Sequence, residues 1–268
     1  MNGLSQKDNS RQLLHMNDDP KIGKDVIESL TLGMYEDCRF IYREYIQNSA
    51  DQVDKAVAEG LMAPGEDEIY ITIDSENRRI VIEDNATGIP QVIPILRNIA
   101  HSTKKRGEDK GFRGIGRLGG LGYCSKLIFE TSYSGENVCS TMTWDADLLK
   151  QIINDRNTSE EAVDVLSRVT TTSTKKEAVE KHYFKVIMEN VSSDELLNID
   201  SVKNYLSMVA PVDISSKFLF SSQISDFIKK HGLKVDIYNI YINGELLSES
   251  YGKEAIKDPG MAANSIYL

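Results

Sequence analysis

The chain has 268 residues, of which 40% are hydrophobic and 27% charged, as in soluble globular proteins, and this length can bury a core without disulfide staples. Its formal net charge of -10 argues against direct nucleic-acid binding and against general binding of anionic membranes, although it allows a local basic patch. The three cysteines lack metal-ligand spacing, and the sequence shows neither an apolar run of membrane-spanning length nor the apolar core of a signal peptide. These features predict a cytoplasmic protein.

The first part of the chain combines a polar tail with a helical region. Residues 1–20 predict a flexible tail, and apolar residues then recur at helical spacing from about residue 23 to residue 59. Within this region the segment REYIQNSADQ places Glu44, Asn48 and Asp51 along one side of a helix, at i, i+4 and i+7. Two interpretations are open at this point: a solvated helix face, or one wall of a binding site.

The segments EIYITID and RRIVIED alternate apolar and polar residues, which predicts the two strands of a hairpin with one buried face. In the second strand, Asp84 falls on the same face as Ile80 and Ile82 and is therefore expected to point inward. A buried carboxylate needs hydrogen-bond donors. Either a bound ligand or the backbone of the following turn, residues 85–88, could supply them.

A short predicted helix at residues 90–101 precedes the loop STKKRGEDKGFRGIGRLGGLG, which is rich in glycine and in cations. Glycines allow a close approach of the backbone, and successive N–H groups can line a concavity for an anion. The loop therefore predicts a phosphate-binding element, although it lacks the G-x-x-x-x-G-K-[ST] pattern of a Walker A loop. Lys104 and Lys105 are compatible with phosphate contact or with solvated surface charge.

The rest of the chain predicts an alternation of strands and helices. The pattern predicts four strands, which are KLIFETS, residues 138–144, RVTTTST and YFKVIMENV. It also predicts a helix at residues 147–154. A further helix, DSVKNYLSMVAP, ends at Pro211. Residues 222–251 then predict helix, strand, Asn-Gly turn and strand, which we interpret as the start of a second domain.

Three separated motifs share an order and spacing that resemble the GHKL superfamily of ATP-binding proteins, which includes gyrase, HtpG-type heat-shock chaperones, histidine kinases and MutL. The similarity covers about residues 21–191, and the segment REYIQNSADQVDK is most similar to the HtpG form. The matching positions are the N box Glu44-x-x-x-Asn48, the first glycine box Asp84 to Gly88, and the second glycine box Gly111-x-x-Gly114-x-Gly116.

This resemblance implies an α+β fold. Its form would be the two-layer α/β sandwich of the Bergerat type, with a mostly antiparallel sheet backed by helices and ATP held between them. The ATP-binding domain would span residues 21–191 with a lid at about 97–117. Residues 192–268 would form a linker helix and the beginning of a transducer-like or middle-like α/β domain.

The resemblance also implies a role for each matched position, with ATP and magnesium as cofactors. Asn48 would coordinate magnesium through its amide oxygen, and Asp84 would accept a hydrogen bond from the adenine amino group. Gly88 would let the chain pass close to the base, and Glu44 would orient and activate the attacking water. The other residues expected at the nucleotide site are Asp51, Thr103, Lys104, Gly111, Arg113, Gly114, Ile115 and Gly116.

Two features depart from the family pattern. Ala86 stands where the first glycine of D-x-G-x-G is usual, and alanine disfavours a positive φ. YFKVIMENV lacks the Gly-Thr pair whose threonine reaches the adenine site in many members. Thr170, Thr171 and Thr172 are the candidates to replace that contact.

We therefore predict ATP binding and slow magnesium-dependent hydrolysis that drives lid closure and conformational change, as in HtpG-like or MutL-like clamp ATPases. Relatives take a catalytic lysine from a following domain, so we expect a piece of a longer protein that is slow or inactive alone. Relatives also imply ADP as a second ligand and a homodimer formed through the N-terminal region, whereas the client protein stays open.

Two alternatives remain. A nucleotide-sensing module without hydrolysis would not need a carboxylate at Glu44. A histidine protein kinase shares the asparagine and glycine boxes, but none of the four histidines lies on a convincing dimerisation helix.

Overall fold

The computed structural model describes residues 24, 27, 37–90, 116–155, 160–216 and 218–249, and every structural statement below concerns these residues. Several predictions fall outside them: the flexible tail, nearly all of the predicted 90–101 helix, and the lid up to residue 115. The same holds for six predicted site residues, which are Thr103, Lys104, Gly111, Arg113, Gly114 and Ile115.

An open sheet of eight strands forms one layer of the fold. The strands in chain order are β1 (Ile69–Asp74), β2 (Arg79–Asp84), β3 (Lys126–Ser132), β4 (Val138–Asp145), β5 (Thr170–Lys176), β6 (Tyr183–Glu189), β7 (Ile240–Ile242) and β8 (Glu245–Leu246). Their order across the sheet is β5-β4-β3-β6-β2-β1-β7-β8. All neighbouring pairs are antiparallel except β1 and β7, which run parallel. The predicted α+β fold with a mostly antiparallel sheet is confirmed.

Helices supply the second layer. They are α1 (Phe40–Ala58), a 3-10 helix (Gly116–Gly122), α2 (Ala146–Asn154), α3 (Ala162–Val169), α4 (Asp194–Leu197), α5 (Ile199–Val209) and α6 (Ser221–His231). The polar residues that precede α2, α4 and α5 cap them, because Asp145, Ser193 and Asn198 each accept a hydrogen bond from a first-turn N–H. None of the described helices is both long enough and apolar enough to cross a membrane.

The core lies between the helices and one face of the sheet. In the β1–β2 hairpin, Ile71 pairs with Ile82 and Ile73 with Ile80, and all four are buried. Each isoleucine removed from water contributes about 1.5–3 kcal/mol, so this alternation fixes the register of the hairpin. Tyr42 and other apolar residues of α1 join the same core, which sets this helix against the strand that ends in Asp84.

The strands at the C-terminal end extend the same sheet. β7 pairs with β1, and the Asn243-Gly244 turn that follows has positive φ at both residues, as a tight hairpin requires. Ile240 and Ile242 are fully buried in the common core. The predicted boundary after residue 191 stays a prediction, but the described strands beyond it lie in one sheet with the first domain.

We expect Tyr42→Phe to lower the free energy of unfolding by about 1–2 kcal/mol. The Tyr42 hydroxyl donates to the buried carbonyl oxygen of Leu196 at 2.7 Å, and the substitution leaves that carbonyl without its donor. Urea unfolding measures the change. Tyr133→Phe is the matched control, because no described residue hydrogen-bonds the Tyr133 hydroxyl, and equal stability of the two variants would contradict the assignment.

Candidate functional site

Helix α1 presents a polar face toward the end of β2. Glu44 and Asn48 are half-buried, and the next residue, Ser49, is 4% exposed. The buried apolar residues of the helix hold this face in place, because they pack into the core at helical spacing. Asp51 also lies on α1 and is half-buried.

The carboxylate at the end of β2 is almost fully buried. Asp84 is 1% exposed, as its place in the alternation predicted. Ser49 Oγ donates to its Oδ2 at 2.7 Å, the Ala86 N–H donates to its Oδ1 at 3.2 Å, and the backbone N–H of Phe184 is a third donor. Burial raises the pKa of Asp84 to about 6 in spite of these hydrogen bonds. The group is therefore a largely desolvated acceptor that is ionised at neutral pH.

Residues 84–89 form a tightly held loop beside this carboxylate. Thr87 is fully buried, and its hydroxyl donates to Gln52 Oε1 of α1 at 2.7 Å. On the other side, the Ile89 N–H donates to Thr131 Oγ1 of β3 at 3.0 Å. Gly88 has a φ of +69°, and a Cβ there would lie 1.9 Å from the carbonyl oxygen of Ser132. Only glycine fits this close approach of the loop to the sheet.

The end of the glycine loop contacts the same helix. A Cβ atom at Gly116 would lie 2.1 Å from Glu44 Oε2, so this carboxylate sits directly against the loop backbone. The Tyr45 hydroxyl donates to the carbonyl oxygen of Arg117 and accepts from the N–H of Gly120, both at 3.1 Å. Helix α1 thereby anchors the start of the 3-10 helix that follows the loop.

The structure brings together one residue or more from each of the three motifs. Glu44 meets Gly116, and Ser49, next to Asn48, meets Asp84. Helix α1 therefore contacts both the buried carboxylate and the end of the glycine loop, and the interpretation of its polar face as one wall of a site stays a prediction. Ser49 and not Asp51 makes the contact to the buried carboxylate, and a role for Asp51 stays a prediction.

Alanine at position 86 was expected to disfavour a positive φ, but the backbone does not have a positive φ there. Ala86 is fully buried and is not among the described residues with positive φ, whereas Gly88 is. The left-handed conformation of this loop lies at Gly88, where glycine is present. Alanine is therefore accommodated at position 86 without backbone strain.

The threonines expected at the adenine site lie elsewhere. Thr170, Thr171 and Thr172 are on the edge strand β5, and three strands separate β5 from β2. With about 4.8 Å between neighbouring strands, β5 is about 19 Å from Asp84, too far for a shared ligand contact. The buried threonine on the site side of the sheet is Thr131, which lies in one cross-strand row with Phe184 and Asp84.

Sequence reasoning missed several residues that organise the site. Ser49, Gln52 and Thr131 reach the Asp84 loop across 35 to 42 residues of sequence. His182 reaches it across 96 residues. Helical spacing gave a partial signal, since Gln52 is four residues after Asn48 and shares its face. The pattern contained no signal for Thr131 or His182.

The donor set fits a magnesium ion bound mainly by a polyphosphate. Within the described ranges, no group of three or more His, Cys, Asp or Glu residues could hold a metal by itself. Magnesium is usually held by one or two protein oxygens together with phosphates and water. The amide oxygen of Asn48 and the carboxylates of Glu44 and Asp51 are oxygen donors on this side of the helix, and Asn48 is the predicted magnesium ligand.

Comparison with known proteins identifies a family and a relative. The family model described as "Histidine kinase-, DNA gyrase B-, and HSP90-like ATPase" matches residues 39–177, just over half of the chain. "Chaperone protein HtpG" of Rhizobium meliloti (strain 1021) is 39% identical over 78 residues. That alignment covers 26% of this chain and only 12% of the chaperone, so the two share a limited segment.

We expect Gly88→Ala to destabilise the fold by about 3 kcal/mol or more, because the new methyl group would overlap the Ser132 carbonyl and the positive φ adds strain. Gly135→Ala is the matched control. Gly135 also has a positive φ, +90°, but nothing lies within 4 Å of its Cβ position. Urea unfolding should show a clearly larger loss for Gly88→Ala, and equal losses would contradict the close approach.

The raised pKa of Asp84 predicts a pH dependence of stability. Between its usual 3.8 and about 6, the folded protein holds a proton that the unfolded chain has released. The Asp84 contribution to the free energy of unfolding therefore falls as pH rises through this range, by about 2–3 kcal/mol. Measured from pH 4 to pH 7, the stability of wild type relative to Asp84→Asn should fall with pH. A constant difference would contradict the burial of this carboxylate.

Proposed function

This chain belongs to the family of histidine kinase-, DNA gyrase B- and HSP90-like ATPases, and we propose that its site binds Mg·ATP and hydrolyses it slowly. The observation that carries the proposal is the convergence on α1 of two other motifs: the carboxylate Asp84 and the last glycine of the second glycine box, Gly116. Each motif alone is compatible with ordinary structure, but their meeting at one helix supports a single nucleotide site.

Asp84 would recognise the base. An ionised carboxylate only accepts hydrogen bonds, so it suits the amino group of adenine and repels a carbonyl at the same position. Ser49, Ala86 and Phe184 occupy part of its acceptor capacity and orient its oxygens. Because the group is desolvated, a ligand hydrogen bond to it does not compete with bulk water.

Asn48 and the glycine loop would hold the phosphate end of the nucleotide. Asn48 would offer its amide oxygen to a magnesium ion. Bound there, magnesium would neutralise charge on the phosphates. The cationic loop residues Lys104 and Arg113 and the N–H groups of Gly111 and Gly114 would surround the phosphates, by the resemblance described above.

Glu44 would orient and activate the attacking water. Phosphoryl transfer depends on positioning and charge stabilisation, so a fixed carboxylate beside the phosphate loop is suited to this task. Its side chain lies against Gly116. Gly116 is at the end of residues 97–117, the segment that would close as a lid over the nucleotide. Lid movement would therefore change the surroundings of Glu44 directly and couple nucleotide binding to conformational change.

The finer assignments rest on relatives. The HtpG match supports an HtpG-like ATPase. The clamp mechanism, a cytoplasmic location and a homodimer through the N-terminal region are proposals that rest on the resemblance. By the resemblance described above, we also propose that this chain works as part of a longer protein. A catalytic lysine from another part of that protein would make this piece alone slow or inactive.

We expect Mg·ATP to raise the stability of the wild-type chain by about 2.7 kcal/mol at one hundred times its dissociation constant. Thermal unfolding with and without the nucleotide measures this. Asp84→Asn should abolish the stabilisation, whereas Glu44→Ala should retain it. Glu83→Gln, one residue away on the opposite face of β2, is the matched control and should behave as wild type.

A phosphate-release assay of the longer protein separates nucleotide binding from hydrolysis. Glu44→Ala should lose phosphate release there by at least about a hundredfold, as expected for a residue that assists proton transfer. If millimolar Mg·ATP does not raise the unfolding temperature of the wild-type protein, the proposed binding site is wrong. Normal turnover by Glu44→Ala would overturn the role of Glu44 and leave the binding site standing.

A further inference from the structure

A histidine at the start of the neighbouring strand β6 holds the loop next to Asp84. His182 lies immediately before β6, and its Nδ1 is 2.7 Å from the carbonyl oxygen of Ala86. A carbonyl oxygen can only accept, so Nδ1 carries the hydrogen and donates it. The contact joins two segments that are 96 residues apart in sequence.

The peptide groups at Ala86 connect this histidine to the buried carboxylate. The Ala86 N–H donates to Asp84 Oδ1 at 3.2 Å, while its carbonyl accepts from His182 at 2.7 Å. Ala86 is fully buried, so water cannot replace a lost partner without movement of the loop. One residue therefore transmits the position of the His182 ring to an oxygen of Asp84.

The other anchors of the loop act at different residues. Thr87 is tied to Gln52, and Ile89 to Thr131. Among the hydrogen bonds of the described residues, the donor to the Ala86 carbonyl comes from His182. Without it the peptide group between Ala86 and Thr87 could turn, and rotation about the Ala86 backbone bonds would displace the preceding peptide, whose N–H donates to Asp84.

We propose that His182 is a positioning residue for the nucleotide base. It fixes the Ala86 peptide groups so that one carboxylate oxygen of Asp84 is held by the loop and the other acceptor positions face the ligand. The inference rests on the proposed nucleotide site. It assigns His182 a role in base recognition and none in the chemistry at the phosphates.

The competing explanation is that His182 only ties the loop to β6 as part of the general fold. A purely structural tie lowers the stability of the protein without nucleotide but leaves the affinity of the folded fraction unchanged. A positioning role lowers the affinity itself. It also does so equally for any ligand that carries adenine, because the phosphates do not take part.

The chain offers a precise set of variants for this question. In His182→Asn, the side-chain amide nitrogen can stand near the Nδ1 position and donate to the Ala86 carbonyl. His182→Ala removes the donor, and His182→Gln carries its amide near the Nε2 position instead. His231→Ala, on α6 and stacked against Phe227, is the matched control remote from the site.

Calorimetric titration with Mg·ATP, ADP and adenosine tests the proposal, with urea unfolding of each variant in the absence of ligand. We expect His182→Ala and His182→Gln to weaken all three ligands by a similar factor of about five to ten. His182→Asn should stay within about twofold of wild type, and His231→Ala should be unchanged.

Unchanged affinity in His182→Ala would overturn the positioning role, even if its stability falls. Equal losses in His182→Asn and His182→Ala would overturn it as well, since the donor would then not matter. Failure of the wild-type chain to bind any of the three ligands would overturn the proposed nucleotide site itself. That result differs from failure of the His182 inference, which requires a wild type that binds.

Discussion

The burial of Asp84 is the constraint on which the site depends. A carboxylate removed from water is costly unless donors surround it, and here the donors come from three different elements. Ser49 reaches it from α1, Ala86 from the loop and Phe184 from the neighbouring strand β6. The raised pKa shows that these donors do not fully compensate the burial. A carboxylate kept in this state can accept a further hydrogen bond, which supports the proposed role of Asp84 in binding.

Helix α1 links this carboxylate to the rest of the site. The face of the helix that packs into the core includes Ser49, and the neighbouring half-buried face carries Glu44 and Asn48. Glu44 contacts the end of the glycine loop, while Ser49 contacts Asp84. In the proposed nucleotide site, the distance between the base end and the phosphate end would therefore be set by a rigid element. Rigid helices position functional groups more accurately than loops do.

Much of this arrangement could be predicted because it depends on local periodicity. The alternation in EIYITID and RRIVIED identifies the hairpin and the inward direction of Asp84, and the structure agrees on both. Helical spacing likewise placed Glu44 and Asn48 on one face of α1. In these cases each residue is positioned by neighbours a few positions away, so the sequence contains the necessary information.

The rest depends on which strands lie side by side, and local patterns do not encode that. Thr170, Thr171 and Thr172 were candidates for the adenine contact, but the sequence does not show that β5 lies at the edge of the sheet. His182 could not be found for the same reason, since its partner Ala86 meets it only after β2 and β6 pair. The parallel pairing of β7 with β1 also joins segments about 170 residues apart. Sheet order is a property of the whole chain.

The central claim is that Asp84 reads the amino group of adenine, and a comparison of nucleotide analogues tests it most directly. ATP and the triphosphate of unsubstituted purine riboside differ only in the 6-amino group and share the same phosphates. Calorimetric titration of the magnesium complexes at pH 8, where Asp84 is ionised, should show ATP binding at least about tenfold more tightly. Equal affinity for the two nucleotides would contradict the account.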